Sequence, residues 1–181
     1  DKLEEMEIVN RFLMPALDRV GQGFEAQRVF LPQLLAAAAA AQAAFEVVKT
    51  RLGDTAQSSG PPVVIATVQG DVHDIGKNIA KVLLENYGFA VVDLGRDVPP
   101  ERVVEAVRQN GAALVGLSAL MTTTLPAMAR TIEALNKAVP ACKVFVAGAV
   151  LTEDYANAIG ADFFAKDANA SAEYAKRVLR G

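Results

Sequence analysis

An α/β fold built on a five-stranded, doubly wound parallel sheet, preceded by a partial helical bundle, is predicted by three observations. Five continuous apolar runs rich in β-branched and aromatic residues recur through the C-terminal part of the chain. Segments with helical spacing of apolar residues separate them. A stretch rich in Gly, Ser and Pro, RLGDTAQSSGPP at 51–62, divides that region from an Ala-rich one before it. Continuous apolar strands alternating with helices mean a parallel sheet covered on both faces.

Taken in order, residues 3–20 carry apolar side chains at helical spacing (Leu3, Met6, Ile8, Phe12, Leu13, Leu17, Val20). A second helix over 32–52 opens at Pro32, a favoured first-turn residue, and runs through six consecutive alanines, the best helix formers. The break at 51–62 reads as a linker, which gives a helical region over 1–54, a linker over 55–62 and an α/β domain over 63–181. Strands are expected at 63–68, 90–94, 113–118, 143–147 and 162–165. Helices are expected near 76–87, 100–110, 125–138, 153–159 and 171–180. Five such units fit a flavodoxin-like sheet of strand order 2-1-3-4-5.

Composition excludes several function classes. With 52% hydrophobic and 22% charged residues the chain buries a sizeable core and is not disordered. A net charge of −3, a pI near 5.2 and the lack of any Lys/Arg run argue against a nucleic-acid surface. One cysteine, Cys142, rules out a disulfide framework and fits a reducing compartment. The apolar stretch LLAAAAAAQAAF is too short to span a bilayer, and no signal peptide is evident. A cytoplasmic protein with no membrane partner is expected. The chain begins at Asp1, as a fragment or excised domain would.

In a doubly wound sheet, ligands bind beyond the carboxyl ends of the strands at the switch point. Three loops converge there: GDVHDIG at 70–76, SALMTTTLP at 118–126 and AGAVLT at 147–152. A phosphate-cradling loop fails, because five residues separate Gly70 from Gly76 and Asn78 follows Lys77. No GxGxxG opens the first helix. A phosphorylated receiver domain needs an aspartate after the third strand, where Ser118 stands, and Lys166 is only a partial match. One His and one Cys cannot hold structural zinc. His73, the single histidine, has an ordinary reading as a surface residue. Asp71 and Asp74 have one as helix-start carboxylates, and Gly76 as a close-packing residue.

The joint spacing points further. Asp71-Val72-His73-Asp74-Ile75-Gly76, then Ser118-Ala119-Leu120, then Ala147-Gly148 resembles the D-x-H-x-x-G, S-x-L and G-G elements of cobalamin-binding proteins. The chain resembles the cobalamin module of cobalamin-dependent methionine synthase and the related free-standing corrinoid proteins. The upstream FLMPALDRVGQGFEAQRVFLPQ resembles their helical cap. That cap is a four-helix bundle in the family. With two of its helices present, the chain would start inside it. Ala147 departs from the first glycine of the G-G pair, and binding is expected to survive.

The resemblance implies that cobalamin, as methylcobalamin, binds with its dimethylbenzimidazole displaced and His73 as the lower axial ligand to cobalt. Asp71 would accept the other ring N–H, and Thr124 would continue that relay, so these three carry the catalytic assignment. Gly70, Val72, Asp74, Ile75 and Gly76 complete the binding loop. Ser118, Leu120, Gly148 and Ala149 would line the slot for the nucleotide tail, while Thr122 and Ala168 would contact the corrin amides. Phe24 and Leu31 would cover the upper cobalt face, their other reading being helix packing. The expected activity is methyl transfer within methionine synthase, from methyltetrahydrofolate to homocysteine. Folate-, homocysteine- and reactivation modules would be partners and the chain an enzyme module of methionine biosynthesis. The alternative is a stand-alone corrinoid protein serving cognate methanol or methylamine methyltransferase subunits. An adenosylcobalamin mutase domain shares the motif but lacks the cap.

Overall fold

The computed structural model describes residues 5–13, 15, 16, 19, 20, 23, 26–52 and 60–180. The chain divides into two compact units, Asp1–Ala56 and Gln57–Gly181. In the first, a helical turn α1 (Glu5–Ile8) continues as a π-helical segment, Val9–Leu13, and a long helix α2 spans Leu31–Leu52. Pro32 is the second residue of α2, where its missing N–H costs no helical hydrogen bond. Among the described residues no helix is long and apolar enough to cross a membrane.

The second unit is the predicted sheet. Its strands are β1 (Pro62–Thr67), β2 (Ala90–Asp93), β3 (Leu114–Ser118), β4 (Lys143–Ala147) and β5 (Phe163–Ala165). They pair in the order β2-β1-β3-β4-β5, all parallel, so the expected strand order is the observed one. The helices between and after them are α3 (Ile75–Asn86), α4 (Pro100–Asn110), α5 (Leu125–Ala138), α6 (Glu153–Ala158) and α7 (Ala168–Arg180).

Alternation along the strands divides the core. Val64, Ala66, Val115, Leu117, Val144 and Val146 pack with Val103, Val107, Met128 and Ile132 of α4 and α5. The other face carries Val63, Ile65, Leu114 and Phe145, all buried, and Phe145 meets Tyr174 of α7 edge-on at 6.3 Å. On that side α3 packs against α7. Helix α7 begins at Ala168, three residues earlier than its apolar spacing suggests. The cause is Asp167, whose carboxylate accepts the backbone N–H of Ala170 at 2.7 Å and so satisfies a donor in the first turn.

Gly116, in the central strand β3, shows how tightly this face is filled. A methyl group there would lie 2.3 Å from the ring of buried Phe145. Gly116→Ala is therefore expected to destabilise the sheet unit by about 1–3 kcal/mol, the cost of overpacking a filled core. Denaturant unfolding of both proteins checks this.

Candidate functional site

The three loops selected from the sequence meet at the carboxyl edge of the sheet. The Val68 N–H donates to the Ser118 carbonyl at 3.1 Å, and the Ala119 N–H donates to the Ala147 carbonyl at 3.1 Å. These bonds extend the β1-β3-β4 pairing past the strand ends, so all three loops start from one fixed rim. Below them, the hydroxyls of Thr67 and Ser118 are 2.9 Å apart, and the Thr67 hydroxyl also donates to the His73 carbonyl at 3.3 Å.

Asp71 is the centre of the arrangement. Its side chain is fully buried. One carboxylate oxygen accepts the His73 backbone N–H at 3.0 Å and lies 2.8 Å from His73 Nδ1. The other accepts the backbone N–H groups of Leu120 (2.7 Å) and Met121 (3.2 Å) and the Thr124 hydroxyl (3.0 Å). Burial alone would raise the pKa of this carboxyl. The donors from His73, Leu120 and Thr124 outweigh it and hold the pKa at about 2. The group is thus ionised and accepts only. In a neutral ring, the hydrogen on the nitrogen facing it must then sit on Nδ1, which leaves the Nε2 lone pair free.

His73 is accordingly anchored at one nitrogen and open at the other, with 46% of its side chain exposed. Val72 and Ile75 in the same loop, and Leu120 in the loop whose backbone N–H meets Asp71, are among the few exposed large apolar side chains of the described residues. Gly76 is exposed, and a methyl group added there would meet nothing within 4 Å. The close-packing reading of Gly76 therefore fails, because the space above its Cα is open. Asp74 stands at the N-cap of α3 without a capping side-chain bond.

The remaining assigned residues fall as follows. Thr124 is buried at the end of a short 3-10 turn, and its hydroxyl proton is shared between Asp71 and the Met121 carbonyl. Thr122, which opens that turn, is exposed. Ser118 and Gly148 are half-buried, and Ala149 is exposed in the turn after β4. Gly70 has φ +85°, a left-handed turn conformation. Ala168 is buried at the start of α7, after β5. Leu31 opens α2 in the first unit, and Phe24 lies outside the described residues, as do 55–59 of the expected linker.

Two features of the rim had no signal in the sequence pattern. Lys77 is buried, and its ammonium donates to Asp93 at 2.6 Å and to Asn78 at 2.8 Å, which ties the first turn of α3 to the end of β2. Burial alone would raise the Asp93 pKa, but Lys77 and the Gly95 N–H lower it. The second feature is Asp97, whose carboxylate accepts the backbone N–H of Gly70 at 2.7 Å.

Among the described residues no three His, Cys, Asp or Glu side chains cluster to hold a bare metal ion. A single oriented imidazole on an open apolar rim suits instead a metal that brings its own macrocycle, because such a metal needs only one protein donor. The residues present therefore fit cobalamin.

Comparison with known proteins agrees. The B12 binding domain family matches residues 61–175, and a second B12 binding domain family matches residues 2–49. Dimethylamine corrinoid protein 1 of Methanosarcina acetivorans is 40% identical over 181 residues, 98% of this chain and 85% of that protein. The structure of the Methanosarcina barkeri monomethylamine corrinoid protein superposes with a TM-score of 0.85 at 32% identity, covering 98% of this chain and 85% of that one. The methanol:cobalamin methyltransferase complex of Methanosarcina barkeri matches at a TM-score of 0.65 and 30% identity, covering 98% and 69%.

These relatives correct one expectation. The reading as an enzyme module of methionine synthase is overturned, because the matched region fills 85% of the dimethylamine corrinoid protein and leaves no room there for folate or homocysteine modules. The chain is a cofactor carrier, and methionine biosynthesis has no support. It belongs to the B12-binding corrinoid proteins, and cobalamin, with its cobalt, is the cofactor it binds.

Proposed function

We propose that this chain is a free-standing corrinoid carrier that holds cobalamin through His73 Nε2 and presents it to a cognate methylamine methyltransferase. The observation that carries the reading is the Asp71–His73 pair, with Nδ1 engaged at 2.8 Å and the ring otherwise open. When bound, cobalamin supplies a cobalt atom that accepts and gives up a methyl group. The protein's residues hold and orient. Asp71 fixes the ring tautomer and raises its basicity toward the metal, and Thr124 and the Leu120 N–H keep that carboxylate in place.

In the same proposal Gly70, Val72, Asp74, Ile75 and Gly76 border the lower face. Ser118, Leu120, Gly148 and Ala149 line the slot for the nucleotide tail, and Thr122 and Ala168 meet the corrin amides. The division into a cap over 1–54, a linker over 55–62 and a cofactor domain over 63–181 belongs to it as well. It is supported by separate family matches over 2–49 and 61–175. Phe24 and Leu31 are assigned to the cap.

Dimethylamine is the favoured methyl donor, because it is the amine in the names of most relatives matched at 37–40% identity, one at 38% being named for trimethylamine. The test supplies the chain loaded with cobalamin held as Co(I) by a chemical reductant, adds a dimethylamine methyltransferase, and offers dimethylamine, trimethylamine, monomethylamine and methanol in turn. Methylation of the bound cofactor, read from its visible spectrum, is expected with dimethylamine. Absence of methylation with every one of the amines would sink the proposal.

A further inference from the structure

The loop that carries His73 is gripped by a residue from a different loop. Asp97 lies between β2 and α4 and has φ +56°, a left-handed conformation that few non-glycine residues adopt. Its backbone N–H donates to the Asp71 carbonyl at 3.0 Å. Its carboxylate accepts the backbone N–H of Gly70 at 2.7 Å. The next residue continues the attachment, since the Val98 N–H donates to the Thr67 carbonyl at 3.1 Å and Val68 bridges Val98 in parallel register. Asp97 thus holds both sides of the Gly70–Asp71 peptide at the point where Gly70, at φ +85°, turns the chain toward His73.

We propose that Asp97 is a positioning residue for His73, acting through its carboxylate on the Gly70 N–H to fix the direction in which Asp71 and His73 leave the sheet. The functional weight of the inference rests on the reading of His73 as the cobalt ligand; its structural content does not. Without the carboxylate acceptor, the exposed Gly70 N–H turns to water and the Gly70 turn loses its lateral restraint. Asp71 would stay tied to Leu120, Met121 and Thr124, so the change falls on how well the His73 ring meets Asp71. Asn tolerates the left-handed conformation and presents an amide oxygen to the same N–H, so it should replace Asp. Gly keeps the backbone conformation and loses only the acceptor.

The test uses the fact that His73 is the single histidine, so a tag-free chain labelled with 15N-histidine reports one ring. In the cofactor-free parent and in Asp97→Asn, the neutral ring should show two well-separated nitrogen resonances, the signature of one tautomer with hydrogen on Nδ1. In Asp97→Gly they should collapse toward a common position as the tautomers mix. Cobalamin affinity should fall about tenfold in Asp97→Gly and by less than about threefold in Asp97→Asn. A parent-like pattern in Asp97→Gly, or a collapsed one in Asp97→Asn, overturns the inference. Because the nitrogen pattern is read without cobalamin, failure of the cobalt-ligand reading would leave it standing and be seen separately, in the spectrum of the loaded chain.

Discussion

Asp71→Ala is expected to destabilise the C-terminal unit by about 2 kcal/mol, because it leaves the buried Thr124 hydroxyl and the part-buried N–H groups of His73, Leu120 and Met121 without their acceptor. Asp71→Asn is the more informative change. Three donors, from Leu120, Met121 and Thr124, converge on one oxygen of the carboxylate, against two from His73 on the other. The single amide oxygen of Asn therefore turns to the three, and its NH2 group faces His73. The ring must then accept at Nδ1 and carry its hydrogen on Nε2, which blocks Nε2 as a ligand. Stability should fall less than in the Ala variant, while coordination of His73 in the loaded chain is lost.

The same carboxylate predicts a pH dependence. Its folded pKa of about 2 lies below the ordinary value of 3.8, so the unfolded chain takes up a proton first as the solution is acidified. The stabilisation is complete above about pH 4 and is lost as pH falls toward 2. It amounts to about 2 kcal/mol. Urea midpoints across that range should show the loss in the parent and a flatter profile in Asp71→Asn.

Gly148→Ala should be the more disruptive of the glycine substitutions. Gly148 has φ +147°, and a methyl group there would lie 1.8 Å from the Ala119 carbonyl oxygen. That atom is backbone, held in the rim by the bond from the Ala119 N–H to the Ala147 carbonyl, so it cannot swing away as a side chain would. The β3 and β4 loops must separate, at a cost of at least about 2–3 kcal/mol. If the slot between those loops receives the nucleotide tail, cobalamin binding should fail as well. Calorimetric melting and equilibrium binding would measure the two losses, and a stable Gly148→Ala protein that binds normally would refute both. Ala147, by contrast, ends β4 in register with Ser118 and Ala165. Its methyl group is accommodated in a regular strand position.

The sheet was legible because its strands are buried on both faces and read as unbroken apolar runs, and because parallel pairing leaves few topologies for five βα units. The positions of the three rim loops followed from that topology alone. The start of α7 was missed for a local reason: Ala168–Ala170 has no apolar spacing, and its helical state depends on the Asp167 side chain. Asp97 and Lys77 were missed for a different one. Both act through tertiary contacts between a loop or helix start and a neighbouring strand end, and a left-handed Asp or a buried Lys carries no periodic signal. The substrate context was misread because D-x-H-x-x-G, S-x-L and a helical cap recur in methionine synthase and in corrinoid carriers. The residues that bind the cofactor do not encode which partner meets it.

Coordination of cobalt by His73 is tested most directly by electron paramagnetic resonance of the chain loaded with cob(II)alamin, prepared with natural and with 15N-labelled histidine. A nitrogen on the lower axial position splits the cobalt lines, threefold for 14N with nuclear spin 1 and twofold for 15N with spin one-half. Since His73 is the only histidine, the label marks one ring and leaves dimethylbenzimidazole unlabelled. Triplets that become doublets on labelling are the predicted result. Triplets that persist in the labelled protein, or lines without nitrogen splitting in both, would contradict it.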